Sequence, residues 1–257
     1  MHDATRESSV GRIVLALAIG AFGVENLVIG DFLPELQRAP AWLPARAACA
    51  YATGAVLVTA AGCVLANHGV RAAARVIAGV AALWIITGHA PMLLVAPRNG
   101  GAWTTAAEVI AIAGAALQLG FPTAPAPGRV VFALTLPVFG ALHFIYADYV
   151  AAVIPAWIPA HGFWAYATGG AHLAAGVSLI VGIRARLAAH LLAAMFGGWV
   201  ILLHVPRALS AADQLAEWTS LCVAVAMLGG SVISAAGLPA TGRATSAGAR
   251  RRAATMG

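Results

Sequence analysis

The chain has 257 residues, of which 61% are hydrophobic and only 9% charged, whereas soluble domains carry about 25% charged residues. Together with a mean hydropathy of +0.87, this excludes an ordinary water-soluble enzyme. The net charge of +6 comes from fifteen arginines, no lysine and nine acidic residues.

A polar segment, residues 1–11, precedes eight apolar runs at about 12–33, 47–67, 74–96, 102–121, 129–150, 163–183, 186–207 and 216–236. A helix of ~20 residues crosses a hydrocarbon core of ~30 Å. Backbone groups in lipid must be satisfied within the segment, which selects helices, and the short alternating segments of a barrel are absent. The first run contains Glu25 and Asp31 and is too long and polar for a cleavable signal peptide. A Pro-rich linker, 122–128, divides the runs four and four, giving units at 12–121 and 129–237. The tail from 238 is rich in Gly, Ala, Thr and Arg and reads as disordered.

Eleven arginines (Arg6, Arg12, Arg71, Arg75, Arg129, Arg184, Arg186, Arg243 and Arg250 to Arg252) fall on one side of this arrangement and four (Arg38, Arg46, Arg98, Arg207) on the other. The positive-inside rule then puts both termini in the cytoplasm and the chain in the inner, cytoplasmic membrane. Topology and anionic-lipid contact account for the basic tail, so no nucleic-acid partner is expected. Cys49, Cys63 and Cys222 stand singly with no CxxC, so thiolate metal sites and thiol redox chemistry lose support and the three read as small buried side chains.

PAWLPARAACAYATG at Pro40–Gly54 returns as PAWIPAHGFWAYATG at Pro155–Gly169, 115 positions later. At that offset Trp84 meets Trp199, His89 meets His204, Pro91 meets Pro206 and Trp103-Thr104 meets Trp218-Thr219. Upstream the offset is 117, pairing Phe22 with Phe139, Asn26 with His143 and Asp31 with Asp148, so the first half carries two extra residues before PAWLP. This register describes a tandem duplication of a four-helix unit. Because four is even, the copies enter the membrane in the same sense, as parallel repeats. The expected fold is therefore an all-α integral membrane protein of eight transmembrane helices in two parallel four-helix repeats. Trp42 and Trp157 belong at headgroup level, in Pro-bounded corners that also stand as candidates to roof a cavity.

The string GALHFIYADYVAAVIPAWIPAHGFWAYATGG, followed by HVPRAL and EWTSLCVAVAMLGG, resembles DoxX-like membrane proteins, small four-helix units with E-H-F, P-x-W-x-P, H-x-P-R and E-W-T-S motifs. The resemblance spans roughly Val138–Ala236 and, more weakly, Phe22–Leu119. It implies a subunit associated with membrane redox complexes; the family takes its name from a subunit of a thiosulfate:quinone oxidoreductase. At the family's Glu-His pair this chain has Glu25-Asn26 and Leu142-His143. His204, Pro206 and Arg207 complete H-x-P-R, against His89, Pro91 and Met92, and Glu217-Trp218 faces Ala102-Trp103. The halves have divided the polar set between them.

Counting 1.5 Å per residue, Glu25, His143, His89 and Glu108 fall in the outer third of the core, and Asp31, Asp148, His204 and Arg207 nearer its outer edge. Ionisable groups at such depth are costly and usually face a bundle interior or watery cavity. The leading expectation is a cavity on the outer side that binds a quinone or other lipophilic molecule. There Glu25, His143, His204 and Glu217 are candidates to carry protons and Arg207 to orient an anionic or carbonyl group. Asn26, His89, Glu108, Trp42, Trp157 and Trp218 complete the candidate binding set, while Asp31 and Asp148 read as interfacial polar residues. His89 and His204 each lie two residues before a proline, where imidazole is a candidate partner for carbonyls freed from the helix. They also form a formal haem pair, which the duplication explains without haem. His172 and His190 lack a like partner at the 115 offset and read as packing residues; His2, His68 and His161 are terminal or loop residues. No metal site is expected. Expected partners are the bilayer, the lipophilic molecule and a redox protein. Alternative readings are a non-catalytic lipid-binding or assembly-supporting module, a lipid or isoprenoid isomerase or cyclase, and a proton-coupled carrier.

Overall fold

The computed structural model describes residues 2–239, and among these the chain is helical throughout apart from turns and connections. The elements are α1 (His2–Ile29), α2 (Pro34–Gln37), α3 (Arg46–Leu65), α4 (Val70–Trp84), a π-helical turn π1 (Ile85–His89), α5 (Ala90–Val95), α6 (Gly100–Gly120), α7 (Ala126–Ile145), α8 (Ala147–Val153), α9 (His161–Val181), α10 (Ala185–Trp199), a second π-helical turn π2 (Val200–His204), α11 (Val205–Ser210) and α12 (Leu215–Ala236). Helix α1 starts at His2, ten residues ahead of the apolar run that begins at about 12. Most of the basic tail, including Arg243 and Arg250 to Arg252, lies outside the described residues.

Among the described residues seven helices are long and apolar enough to cross a membrane: Arg6–Ile29, Arg46–Leu65, Val70–Val95, Gly100–Gly120, Ala126–Ile145, Ala185–Ser210 and Leu215–Ala236. The sequence reading counts eight. The remaining long helix, α9, has 21 residues, with two histidines and four glycines among them, and is not one of the seven.

The long helices close into a ring. Neighbours around it run α1, α3, α4, α6, α7, α9, α10, α12 and back to α1, with α6 and α12 also touching across the middle. The α6–α12 contact thus divides two lobes: one contains α1, α3 and α4, the other α7, α9 and α10. Glycine sets the tightest contacts. A Cβ at Gly23 would lie 2.7 Å from the Gly54 carbonyl oxygen, and one at Gly140 would lie 2.8 Å from that of Gly169. Only hydrogen in place of Cβ lets α1 meet α3, and α7 meet α9, this closely.

The two π-helical turns lie 115 positions apart, each ending on a histidine two residues before a proline, Pro91 or Pro206. Proline lacks an N–H and crowds the carbonyl one turn back. The chain widens by one residue to relieve this, so that Ala90 N–H reaches Ile85 O and Val205 N–H reaches Val200 O. The freed carbonyls are therefore not capped by the imidazoles, as the sequence suggested; both rings turn to other partners.

PAWLP and PAWIP form tight corners. Leu43 N–H donates to Pro40 O at 3.2 Å and Ile158 N–H to Pro155 O at 2.9 Å. Ala45 and Ala160 then take left-handed backbone conformations, φ 47° and 59°, and launch α3 and α9. Trp42 and Trp157 project outward, 75% and 67% exposed.

Candidate functional site

The second lobe holds a cavity of about 780 Å³, within the ~300–1,000 Å³ range of small-molecule sites. Its apolar wall comes from Phe139, Phe196, Trp199, Leu203, Val223 and Met227. Its polar groups come from every side: Glu108, Thr104 and Thr105 of α6, His143 of α7, His172 of α9, His204 of π2, Arg207 of α11 and Ser220 of α12. The rim at the α2/α8 end carries Glu35, Arg98, Tyr146 and Tyr149.

Three imidazoles meet here in defined orientations. His143 Nδ1 lies 2.8 Å from Phe139 O and His172 Nδ1 lies 2.8 Å from Thr168 O. A carbonyl only accepts, so both rings carry the proton on Nδ1 in these bonds and leave Nε2 as an acceptor. The two rings pack 5.1 Å apart, with Phe139 and Phe196 5.7 and 5.5 Å from His172. His204 Nδ1 is 3.3 Å from Ser220 Oγ. Arg207 is held by Glu217 in a two-pronged pair, Nε to Oε2 at 2.9 Å and a terminal nitrogen to Oε1 at 2.6 Å, which fixes the guanidinium at the cavity edge. Among the described residues Glu108 has no hydrogen-bond or ion-pair partner, and its carboxyl borders the cavity.

The sequence-predicted set does not all converge. Glu25 is placed elsewhere: it accepts from Thr219 Oγ1 at 2.7 Å and from Cys222 Sγ at 3.8 Å, tying α1 to a different face of α12 from the one Ser220 and Val223 present to the cavity. Asn26 and His89 belong to the first lobe. Asn26 exchanges two hydrogen bonds with Gln37, at 2.7 and 2.8 Å, and also donates to Asp31 O at 2.9 Å. His89 Nε2 donates to Leu36 O at 2.9 Å. His89 and His204 thus point into different lobes and offer no shared haem iron. Asp31 pairs with Arg46 at 2.6 Å and accepts from Phe32 N–H; Asp148 is exposed at the start of α8. Trp42 and Trp157 do not border the cavity, so the corners they occupy do not roof it. Trp218 donates to Ala212 O at 3.0 Å, as Trp103 does to Pro97 O at 2.8 Å, so both indoles fasten corners. His190 sits 3.4 Å from Glu7, beside the Arg186–Glu7 pair.

His172 is the residue that the repeat comparison passes over. Its counterpart is Leu57, and that mismatch is itself the signal: a histidine present only in the half with the cavity. Glu35, Arg98, Tyr146 and Tyr149 carry no such mark, because they come from loops and short helices.

The first lobe is filled at the corresponding place by its own chain. Leu33, Leu36 and Gln37 are fully buried, and α2 drops into the position of the cavity. A side chain at Gly88 would collide with the main chain of Arg38, whereas Leu203, 115 positions on, lines the second-lobe cavity. The two extra residues before PAWLP supply the chain length for this fill. No group of three or more His, Cys, Asp or Glu residues suited to a metal ion occurs among the described residues.

A family model described as Domain of unknown function (DUF8561) matches residues 132–238, the part that contains most of the cavity wall. No curated protein matches the chain, and no solved structure does.

Proposed function

We propose that this is a multi-pass membrane protein whose second lobe binds a lipophilic molecule with a polar head, a quinone or quinol being the best fit, as a redox-associated subunit. The observation that carries the reading is the cavity itself, an aromatic and aliphatic chamber of about 780 Å³ with three histidines, Glu108 and Arg207 at its border. Such a lining suits a ligand that is mostly apolar and is oriented by a few hydrogen bonds. His143 and His172 offer acceptors that suit a ligand hydroxyl, and Arg207 offers a donor that suits a carbonyl. The oxidised and reduced forms of one head group therefore both find partners. The redox association draws on the resemblance to DoxX-like proteins; electrons come from a partner polypeptide. Proton carriage falls to His143, His172 and His204, because Glu25 is engaged between α1 and α12.

In this reading the chain crosses the cytoplasmic membrane eight times, α9 included, as a tandem duplication with both termini inside. Support comes from the ring order, from the π-helical turns at a common offset and from the arginine asymmetry. The cavity then opens on the outer side.

The test is mass spectrometry of small molecules that co-purify in mild detergent, followed by thermal unfolding with added short-chain quinone. A quinone or related isoprenoid lipid in the preparation, and stabilisation by the added quinone, are expected. An empty preparation with no shift would defeat the reading. A non-catalytic assembly role is favoured for one part of the polar set only: Glu25, whose contacts hold α1 to α12.

A further inference from the structure

The first lobe contains a record of what its polar positions grip. Its own chain fills the space, and the polar contacts end on oxygen. His89 Nε2 donates to the Leu36 carbonyl at 2.9 Å; Asn26 donates to the Asp31 carbonyl at 2.9 Å and to the Gln37 amide oxygen at 2.7 Å. His89 is 1% exposed and Asn26 fully buried, so these bonds are made away from water, where an unmet donor is costly. The aligned residues in the second lobe are His204, 115 positions beyond His89, and His143, 117 beyond Asn26. Both border the cavity, and no described segment of the chain fills it.

The orientation of His204 fits the same role. A Ser220 hydroxyl that donates to Nδ1, 3.3 Å away, leaves the proton on Nε2, the nitrogen through which His89 donates. The π-helical turns fix the two imidazoles at the same place in the helix, since each ends on the histidine. The lining that His204 shares is apolar at Trp199, Leu203 and Phe196 and polar at Arg207 and Ser220, and among the described residues Ser220 is its one hydrogen-bond partner.

We propose that the second-lobe cavity holds its ligand by a carbonyl oxygen, which accepts from His204 Nε2–H as the Leu36 carbonyl accepts from His89. The ligand class is a lipophilic carbonyl compound, of which a quinone is one member and a long-chain ketone another. The peptide carbonyl of the first lobe is the internal stand-in for that head group. This rests on the ligand-binding reading of the cavity and adds the identity of the group that His204 recognises.

A matched pair of probes separates the two claims: 2-methyl-1,4-naphthoquinone, and 2-methylnaphthalene, which keeps the ring system without either carbonyl. Binding to the full-length protein in detergent is measured by calorimetry for the wild type, His204→Leu and His204→Gln. The wild type is expected to bind the quinone at least tenfold more tightly than the hydrocarbon. His204→Leu erases most of that ratio while hydrocarbon binding persists, which also certifies a folded cavity. His204→Gln, which keeps an N–H donor, retains a good part of the ratio. Equal loss of both probes in His204→Leu, or a full ratio in that variant, overturns the carbonyl assignment and leaves the cavity reading standing. Failure of the wild type to bind either probe removes the cavity reading as well.

Discussion

Gln37 is the keystone of the filled lobe, and its replacement by leucine tests how that lobe is held. The side chain is fully buried. It accepts from Asn26 at 2.7 Å and from Leu33 N–H at 2.9 Å, and it donates to Asn26 at 2.8 Å. Gln37→Leu leaves three groups without those partners: one Asn26 N–H, the Asn26 oxygen and the Leu33 N–H. Each orphaned buried group costs about 1–3 kcal/mol. Membrane-protein side-chain bonds average nearer ~0.6 kcal/mol, because the unfolded chain in lipid also finds partners. The loss should fall between these limits, near 3 kcal/mol, because Asn26 keeps its bond to Asp31 and α2 can shift to admit water. The assay is reversible unfolding in mixed micelles, with amide exchange followed across residues 31–39, which should become the least protected part of the first lobe. Asn26→Leu with Gln37→Leu removes the polar set from both sides and should recover a large part of the loss, since replacing both partners by apolar groups can be nearly neutral. A single variant within about 0.5 kcal/mol of wild type, a value normal for surface changes, or a double variant as damaged as the sum of the singles, would refute this account of the plug.

Gly54→Ala should lower stability by about 1–3 kcal/mol through overpacking, because its Cβ would lie 2.7 Å from Gly23 O, whereas Gly62→Ala meets nothing within 4 Å and should be neutral or stabilising by up to about 1 kcal/mol; equal effects in denaturation of the two variants would count against the helix contact described. His172→Leu should fold with wild-type thermal stability, since the aligned residue is Leu57 and the Thr168 carbonyl keeps its helical N–H, yet should weaken binding of whichever small molecule co-purifies; unchanged ligand content by mass spectrometry would remove His172 from the site. In a cysteine-free background, Asp213→Cys should react with a membrane-impermeant maleimide on intact cells and His68→Cys only after lysis, both positions being exposed; the reverse pattern would invert the proposed orientation.

The helices were legible because length and apolarity are local properties: each of the long helices falls within a few residues of its apolar run, α1 apart. The ring order was not, since nothing in the sequence says that α1 leans on α12. That contact also explains Glu25. Depth along a helix is readable at 1.5 Å per residue, but the direction in which a side chain leaves the axis depends on which neighbour stands there. For Glu25 the neighbour is Thr219, across 194 positions of chain. The pairs His143 with Asn26 and His204 with His89 were visible in the offset. What the offset concealed is that one member of each pair is already occupied. The two-residue insertion was legible as a count, and its effect, a segment folded inward onto Gly88, needed the fold.

A perimeter in which each unit's opening helix is walled by the other unit's closing helix has no self-sufficient half. Cut at the linker, α1 would lose α12 and α7 would lose α6, baring two long greasy seams. A relative built from one such unit would have to borrow its missing wall from a second molecule, and so would live as a pair. Because the two lobes lie in one chain they need not be alike: residues 33–37 pack into one, while the other keeps its cavity.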